Sequence, residues 1–351
     1  MKKLGFGIIG CGVISDWHAK SVQAIDGAEL IGAADLNEAA RKSFAERYGI
    51  RAFDSIEDLL ACPEISVVSI CVPSGLHAPL AIQAANAGKN IIVEKPMALT
   101  IQEADEVIAA CEKNGVKVAV ISQIRFTEAI RVLKNAIENG TFGRIVTGDV
   151  FMRYYRSPEY YASSAWRGTY KMDGGGALMN QGIHGIDCLQ YVMGDIKSVM
   201  ASAKTLVHNI EVEDTCSAVV EYANGAIGII QGTTSVFPGY PRLLQISGSK
   251  GSATLEEDSI LRWDTVDGKV PEGIILGRTK ASGASDPKAI GMEGHKLQIE
   301  DMMHAVLENR KPLVDMYEGR KPVKIITAIY ESERTGKKIY LDEFDQSQSK
   351  K

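Results

Sequence analysis

Hydrophobic and polar positions follow one rhythm up to about residue 122 of this chain. Short, continuous apolar runs alternate there with amphipathic stretches of helical period. Such runs are typical of strands buried on both faces, and their alternation with helices predicts a parallel sheet with right-handed crossovers. We therefore predict a doubly wound α/β domain over residues 1–122. Its predicted strands are 4–9, 29–34, 67–70, 90–93 and 117–121, and its predicted helices are 14–25, 37–48, 78–87 and 101–114.

The rhythm changes after residue 123, where strand-like segments follow one another with turn signals between them. This succession predicts an α+β domain over residues 123–351, with an open, mostly antiparallel sheet and helices on one face. A C-terminal helix is a candidate for packing back on the first domain. Residues 268–292 are predicted to be a mobile loop and 342–351 a polar tail. The predicted strands are 145–155, 199–206, 215–222, 226–234, 242–247 and 251–255, and the predicted helices are 127–139, 177–193, 295–308 and 323–335.

Composition and charge narrow the function classes. The net charge of −5, from 39 Lys and Arg against 44 Asp and Glu, gives no electrostatic reason to bind nucleic acid or an anionic membrane. No apolar run approaches the roughly 18 residues that a membrane-spanning helix needs. The six cysteines are scattered without a C-x-x-C pair, which is typical of a reducing compartment. We expect a cytoplasmic globular protein with neither nucleic-acid nor membrane partners.

A glycine-rich turn follows the first predicted strand. Residues 10–15 form a G-x-G-x-x-S pattern between a strand and a helix. The glycines permit a tight turn and close approach of a pyrophosphate, and the helix N-terminus supplies free N–H groups. Asp35 ends the second strand, about 20 residues further on, where a carboxylate binds the adenosine ribose and repels a 2′-phosphate. NAD is therefore favoured over NADP. In the alternative interpretation, the glycines only form a tight turn and Asp35 is the N-cap of the next helix.

Two further segments follow buried strands at the carboxyl edge of the predicted sheet, where open α/β sheets bind ligands. The first runs from Pro73 through Ser74 to His77, and the second is Glu94-Lys95-Pro96. The proline biases Lys95 away from helical backbone, so the lysine is predicted to point outward from a stiff turn. A lysine beside a nicotinamide can bind a substrate hydroxyl and stabilise developing alkoxide charge.

A third polar cluster lies on the predicted helix 177–193. Three glycines, 174–176, precede it and let the backbone come close to something bulky. Asn180, His184 and Asp187 are spaced at i, i+4 and i+7, which places all three on one face of a regular helix. We interpret His184 as a catalytic residue. Asp187 either raises the basicity of the histidine or anchors the helix.

Taken together, these motifs resemble the glucose–fructose oxidoreductase/inositol dehydrogenase/rhizopine-catabolism (Gfo/Idh/MocA) family. The resemblance extends over about residues 4–335 and includes Arg125-Phe126 and Trp166-Arg167-Gly168. It implies an N-terminal Rossmann domain that binds NAD and a C-terminal domain that mediates homodimers or homotetramers. It also implies that Lys95 is the catalytic lysine and His184 the proton acceptor.

Asn180 departs from the family pattern, because many members carry Asp at this position. Members that oxidise the C3 hydroxyl of sugar-nucleotide uronates look similar around residues 179–184, so the departure points away from plain inositol dehydrogenases. Tyr155 and Tyr170 are additional candidates for a sugar site. The residues expected to contact the cofactor are Gly10, Gly12, Val13, Ile14, Asp35, Pro73, Ser74, His77, Glu94 and Lys95, and those expected to contact substrate are Lys95, Arg125, Trp166, Arg167, Asn180 and His184.

We therefore predict an NAD-dependent dehydrogenase that moves a hydride between nicotinamide and a secondary hydroxyl of a sugar, sugar derivative or cyclitol. Two alternatives stay open: an NAD-dependent glycosidase with internal transient oxidation, and a non-catalytic nucleotide-sensing regulator on the same fold. No metal is predicted, since His295 and His304 lack acidic partners at metal spacing. His18 is expected to pack in the core, and residues 211–214 to form a solvated turn.

Overall fold

The computed structural model of this chain describes residues 3–272, 274–277 and 292–348. Most of the segment predicted as a mobile loop, 268–292, lies outside the described residues. The chain divides into two compact units. The N-terminal unit comprises Met1–Gln123 and Gly291–Arg320, and the C-terminal unit comprises Ile124–Ile290 and Lys321–Lys351.

The N-terminal unit is built on a six-stranded sheet in which every strand pair is parallel. The strand order is β3-β2-β1-β4-β5-β6, which is that of a Rossmann fold, with the switch point between β1 and β4. Ligands bind such sheets outside the carboxyl ends of the strands at this point. The strands are β1 Leu4–Ile9, β2 Ala28–Ala34, β3 Arg51–Phe53, β4 Val67–Ile70, β5 Asn90–Val93 and β6 Val118–Val120.

Helices surround this sheet and complete its core. Short-range signals set several of their ends: Thr100 caps α5, and Gly115, in the left-handed region, ends it. Helix α10 returns from the far end of the chain and packs against α1. The helices of this unit are α1 Ser15–Gln23, α2 Glu38–Tyr48, α3 Ile56–Ala61, α4 His77–Asn86, α5 Ile101–Asn114 and α10 Glu293–Leu307.

The C-terminal unit is built on an eight-stranded sheet of order β13-β12-β11-β7-β10-β9-β8-β14. The pair β7–β10 is parallel and the remaining pairs are antiparallel, so the sheet is mixed. The predicted fold class, a Rossmann domain followed by an α+β domain, is confirmed. The strands are β7 Ile145–Arg153, β8 Ile196–Lys204, β9 Thr215–Tyr222, β10 Ile227–Thr233, β11 Leu243–Gly248, β12 Gly251–Glu256, β13 Ser259–Thr265 and β14 Ile339–Tyr340.

Burial alternates along these strands because helices cover one face. In β9, Cys216, Ala218 and Val220 are buried, whereas Val219 between them is 57% exposed. The helical elements of this unit are α6 Glu128–Glu138, α7 Pro158–Ala162, α8 Tyr170–Asp173, a π-helical turn Ala177–Gly182, α9 Ile183–Met193 and α12 Leu341–Gln348, and the boundary between the units falls within α11 Met316–Thr335.

Three local predictions are wrong. The segment predicted as one helix, 177–193, is a π-helical turn followed by α9. The predicted polar tail forms α12, because Leu341 and Phe344 lie one turn apart and pack on the core of the C-terminal unit. Helix α11 begins at Met316, seven residues before its predicted start, and contains Pro322. Sequence reasoning also missed the strands β3, β13 and β14 and the helices α3, α7 and α8.

Among the helices in the described part of the chain, none combines the length and apolarity needed to cross a membrane.

Candidate active site

The turn after β1 is shaped by two glycines with different roles. Gly10 has φ +93°, and a Cβ there would lie 2.7 Å from the carbonyl oxygen of Cys71, so only glycine fits. A Cβ at Gly12 would meet no described atom within 4 Å, so the backbone there faces open space. Val13 beside it is 64% exposed. The turn thus presents bare backbone to a ligand, as a pyrophosphate site requires.

Helix α1 begins directly after this turn. Its N-cap residue, Ile14, makes no side-chain hydrogen bond to the first turn of the helix. The hydroxyl of Ser15 donates a hydrogen bond to the carbonyl oxygen of Gly12 and so stabilises the turn. The N–H groups and the positive end of the helix dipole are therefore left for an anion. This geometry fits the pyrophosphate of a dinucleotide.

Asp35, at the end of β2, is held by backbone amides. Its Oδ2 accepts the N–H of Cys11 at 2.7 Å, and its Oδ1 accepts the N–H of Asn37 at 2.7 Å. The side chain that caps α2 is that of Asn37, so the alternative in which Asp35 is the N-cap is wrong. Arg41 donates to Asp54 at 2.8 Å and to the Asp35 carbonyl oxygen at 3.1 Å, which directs its guanidinium away from the Asp35 carboxylate.

His77 braces the lysine turn from inside the N-terminal unit. It is 1% exposed, with Nδ1 2.6 Å from the carbonyl oxygen of Pro96 and Nε2 2.9 Å from that of Val72. Burial lowers the pKa of His77, although the two carbonyl oxygens favour its protonated form. Its expected contact with the cofactor stays a prediction, and both ring nitrogens already face backbone oxygens.

Glu94 is also buried, at 6% exposure, directly before Lys95. Its carboxylate lies 3.0 Å from Nε2 of His18 and 3.5 Å from Nε2 of His295, and it accepts the backbone N–H of Lys95 at 3.2 Å. Burial acts to raise the pKa of Glu94, but the hydrogen bonds from the two histidines hold it well below its ordinary value. Lys95 itself is partly exposed, and its peptide bond to Pro96 is cis.

This cluster corrects one expectation from the sequence. His295 does have an acidic partner, Glu94, which is about 200 residues away in the chain. The side-chain ligand atoms of His18, Glu94 and His295 lie within 4.8 Å of one another, as in groups that can hold a metal ion. Helical spacing on α10 could not reveal this partner, because it comes from a different element. His18 is fully buried, as expected.

In the C-terminal unit, Glu213 supports the start of the π-helical turn. It accepts the N–H groups of Gly176 at 2.8 Å and Leu178 at 2.9 Å, and the hydroxyl of Tyr330 at 2.9 Å. A Cβ at Gly176 would lie 1.8 Å from the Glu213 carbonyl oxygen, so the glycine makes room for this unit's own backbone. Burial raises the pKa of Glu213.

The predicted solvated turn at 211–214 is therefore wrong for two of its acidic residues. Glu213 is 6% exposed and Asp214 is fully buried. Asp214 accepts the backbone N–H groups of residues 206–208, which hold its pKa below the ordinary value although burial opposes them. A run of acidic residues stays solvated only when its carboxylate oxygens are not used as acceptors by buried backbone N–H groups nearby.

Asn180 lies in a polar network that the sequence did not reveal. Its Nδ2 donates to the carboxylate of Asp173, and its Oδ1 accepts Nε2 of Gln181 at 2.8 Å. Gln181 also donates to the hydroxyl of Tyr160 at 2.8 Å and accepts from Arg156 at 2.7 Å. In this chain the carboxylate belongs to Asp173 and is hydrogen-bonded to Asn180, whereas many other family members are expected to carry a carboxylate at position 180 itself.

His184 and Asp187 have different environments on α9. His184 is partly exposed, whereas Asp187 is 3% exposed and forms a two-bond ion pair with Arg125, at 2.8 and 2.6 Å. Arg125 is 1% exposed and also stacks on Tyr191. This pair agrees with Asp187 as an anchor of the helix, and its other possible role, raising the basicity of His184, stays a prediction. The predicted contact of Arg125 with substrate stays a prediction. Its guanidinium is already bonded to Asp187.

Aromatic rings surround Arg167 in the same unit. Its guanidinium lies 4.3 Å from the ring centre of Tyr160 and 4.6 Å from that of Trp166. It also donates to the Tyr160 hydroxyl, and among the described residues it forms no ion pair with a carboxylate. Of the other sugar-site candidates, Tyr170 is 59% exposed and Tyr155 packs edge-on against Phe237.

Comparison with known proteins supports the assignment of both units. Residues 4–122 match the family model "Oxidoreductase family, NAD-binding Rossmann fold", and residues 130–254 match the "GFO/IDH/MocA C-terminal domain". This chain belongs to the Gfo/Idh/MocA oxidoreductases. The resemblance seen in the sequence is confirmed, and the N-terminal unit of this Gfo/Idh/MocA protein is an NAD-binding Rossmann domain.

Its relatives include dehydrogenases that are named for a cyclitol and for a sugar derivative. The WlbA dehydrogenase from Bordetella pertussis, in complex with NADH and UDP-GlcNAcA, has 33% identity and a TM-score of 0.88 over 97% of this chain and 98% of that one. Myo-inositol 2-dehydrogenase from Thermotoga maritima is 29% identical over 70% of this chain and 73% of its own length. Levoglucosan dehydrogenase from Pseudarthrobacter phenanthrenivorans is 28% identical over 72% and 73%.

Proposed function

We propose that this protein is an NAD-dependent dehydrogenase that oxidises a secondary hydroxyl of a nucleotide-linked uronic acid sugar. The observation that carries the substrate class is the full-length similarity to the WlbA dehydrogenase bound to UDP-GlcNAcA, which spans both units at 33% identity. The match to the inositol dehydrogenase is lower in identity and covers 70% of the chain. Asn180 agrees with this choice, since many of the inositol-oxidising members carry Asp there.

The chemistry assigns complementary roles to two partly exposed residues. His184 takes the proton of the substrate hydroxyl, directly or through a water, because an imidazole changes protonation near neutral pH. Lys95 donates a hydrogen bond to the same oxygen and stabilises its developing negative charge. NAD, when bound, supplies the acceptor for the hydride that leaves the carbon atom.

The preference for NAD over NADP rests on Asp35. Its carboxylate ends β2 beside the phosphate turn, where it accepts ribose hydroxyls and repels a 2′-phosphate. The nearby cation, Arg41, is 7% exposed and bonded to Asp54 and to backbone, so it is not available to a second phosphate group.

Arg167 is proposed to recognise the carboxylate of the uronate. A guanidinium is planar and matches a carboxylate with two parallel hydrogen bonds. Stacking between Trp166 and Tyr160 fixes its orientation, while no acidic residue in the described part of the chain neutralises it in an ion pair. The exposed faces of aromatic rings nearby suit the C–H groups of a sugar.

We also propose a homo-oligomer formed through the uncovered face of the C-terminal sheet. Met200, Val219 and Ile229 are register partners across β8, β9 and β10, and they are 52%, 57% and 40% exposed. A contiguous apolar row on a sheet face marks an interaction surface. Light scattering of the purified protein tests this: a monomer contradicts it, and Val219→Lys is expected to dissociate the oligomer.

The decisive experiment measures absorbance at 340 nm with purified protein, NAD or NADP, and a panel of UDP-linked uronates, free sugars, glycosides and inositols. We expect NADH to form with a nucleotide-linked uronate. Activity restricted to inositols would leave a dehydrogenase but overturn the substrate class. Tight NAD binding without release of NADH on any substrate would favour internal transient oxidation or nucleotide sensing.

A further inference from the structure

The turn that carries Lys95 rests on a buried carboxylate. Oε2 of Glu94 accepts the backbone N–H of Lys95 at 3.2 Å. Oε1 of the same side chain lies 3.0 Å from Nε2 of His18 and 3.5 Å from Nε2 of His295. One oxygen is thus bound to the lysine backbone and the other to two histidines. The position of the lysine backbone is therefore tied to whatever orients Glu94.

The two histidines come from separate helices of the N-terminal unit. His18 lies on α1, which begins at the phosphate turn, and His295 lies on α10. They are 0% and 2% exposed, and their rings pack edge to face with centres 5.8 Å apart. Trp17 covers the His295 ring at 5.4 Å. Because every member is buried and in contact, the carboxylate of Glu94 has little freedom to rotate.

The protonation states agree with a hydrogen-bonded arrangement. A carboxylate buried this deeply stays ionised only with strong donors, and the histidine hydrogen bonds hold the pKa of Glu94 well below its ordinary value against the effect of burial. Burial lowers the pKa of His18, so its neutral form is favoured. A neutral imidazole that donates from Nε2 has no proton on Nδ1. Among the described residues, the Nδ1 atoms of His18 and His295 have no hydrogen-bond partner.

A metal ion is the alternative occupant of this cluster, because its ligand atoms are close enough for one. A histidine that binds a metal through Nε2 carries a proton on Nδ1 and almost always donates it to a carboxylate, a carbonyl or water. The buried Nδ1 atoms of His18 and His295 meet neither a carboxylate nor a carbonyl oxygen in the described part of the chain, so each would need a water as acceptor if a metal were bound.

We propose that Glu94 is a positioning residue for Lys95 and that His18 and His295 orient its carboxylate. This inference rests on the catalytic role proposed above for Lys95. On the other side of the lysine, the Pro96 carbonyl oxygen contacts His77 at 2.6 Å, so buried side chains hold the backbone on both flanks. Fixing the backbone limits where the ammonium group can lie, and a misplacement of about 1 Å at a reacting centre can cost about 100-fold in rate.

The test compares His295→Leu with His295→Gln, using a substrate found in the 340 nm assay. Leucine fills similar volume but removes the donor to Glu94, whereas glutamine returns an N–H donor near the position of Nε2. We expect His295→Leu to lower kcat about 10- to 100-fold, and His295→Gln to recover most of the loss. The Kd for NAD, measured by protein fluorescence, is expected to stay within about twofold in both variants, since the phosphate turn and Asp35 are untouched.

Two further variants extend the comparison. His304→Leu changes a half-exposed histidine on the same helix and is expected to keep normal kcat. Glu94→Gln keeps the shape but removes the charge, and is expected to lower kcat. If His295→Leu lowers only the melting temperature, with normal kcat in the folded fraction, and Glu94→Gln turns over normally, the positioning role is overturned.

Lys95→Ala separates this inference from the proposed function. Normal turnover by Lys95→Ala would contradict the catalytic role proposed for Lys95, and the inference would fall with it, whereas no NADH formation by the parent protein on any substrate would contradict the proposed function. Inactive Lys95→Ala combined with normal turnover in the Glu94 and His295 variants would overturn the inference alone. Metal analysis of the purified protein is the last arm: a stoichiometric ion that disappears in His295→Leu would identify a metal site and overturn the positioning role.

Discussion

The carboxylate of Asp35 accepts the backbone N–H of Cys11 at 2.7 Å, so the acidic residue at the end of β2 is bonded directly to the phosphate turn. This contact joins two parts of the proposed NAD site that are 24 residues apart in the chain. It fixes the position of the turn relative to the Asp35 carboxylate. The second oxygen of that carboxylate accepts a hydrogen bond from the N–H of Asn37, which orients the group.

Asp35→Ala is expected to raise the Kd for NAD about 10- to 100-fold, because a charged acceptor for the ribose hydroxyls contributes about 1.5–3 kcal/mol. The Kd for NADP is expected to change little or to fall, since the carboxylate no longer repels a 2′-phosphate. Titration of both cofactors by fluorescence checks this. Asp35→Asn is the matched variant, because it keeps the shape and removes the charge. An unchanged ratio of the two Kd values would contradict the role of Asp35.

Lys95→Ala and His184→Ala are each expected to lower kcat at least about 100-fold, the usual loss for one alkoxide donor or one general base. In His184→Ala, the Kd for NAD should stay near that of the parent protein, which shows that the loss is in the chemical step. Near-normal turnover by both variants on a proven substrate would rule out the mechanism. The pH dependence of kcat should lose its histidine limb in His184→Ala alone.

Arg167→Leu is expected to raise KM for an anionic sugar substrate about 10- to 100-fold, because a charge-assisted pair with the carboxylate is lost. A neutral analogue with an amide in place of the carboxylate should lose much less. Steady-state kinetics on the two substrates measure the difference. Equal losses on both would mean that Arg167 only supports the packing of Trp166 and Tyr160.

The buried pair Arg125–Asp187 is expected to matter for stability. Arg125→Leu leaves a carboxylate of 3% exposure without its guanidinium, and breaking such a pair on one side costs about 3–5 kcal/mol. Urea unfolding followed by circular dichroism measures this loss. The double variant Arg125→Leu/Asp187→Leu should be clearly more stable than the single one. Equal stability of the two would show that the cost arises from packing.

Stability is expected to fall as the pH drops below about 6.5, the ordinary pKa of histidine. Burial lowers the pKa of His18 and His77 in the folded protein. The unfolded chain therefore binds more protons than the folded protein in this pH range, which stabilises the unfolded state relative to the folded state. For each histidine that stays neutral in the folded protein, the free energy of unfolding falls by up to about 1.4 kcal/mol per pH unit below about 6.5. This loss stops when the pH reaches the pKa of that histidine in the folded protein. Urea midpoints across this range check the slope.

The matched pair for this measurement is His18→Gln and His304→Gln. The first removes a buried histidine and should flatten the slope, whereas the second removes a half-exposed one on α10 and should leave the slope close to that of the parent protein. A slope that is the same in all three proteins would show that other groups govern the acid sensitivity.

Local signals in the sequence were sufficient for five of the six strands of the N-terminal sheet and for its turn. Strands β4 and β5 and helix α5 have the predicted bounds, because uninterrupted apolar runs and good caps leave few alternatives. The Gly10 turn and Asp35 follow a fingerprint whose spacing is set within one β-α-β unit. The family resemblance added the functional roles of Lys95 and His184, which stay proposals.

The sequence determined on its own those features that depend on neighbours along the chain: the fold class, most helices and strands, and the NAD turn. The tertiary structure decided the partners of buried charges. Glu94 meets His18 and His295, Asp187 meets Arg125, and Asn180 meets Asp173. A buried charge takes whichever partner the packing brings within about 3 Å. That choice depends on contacts between distant segments, which periodicity and spacing do not encode.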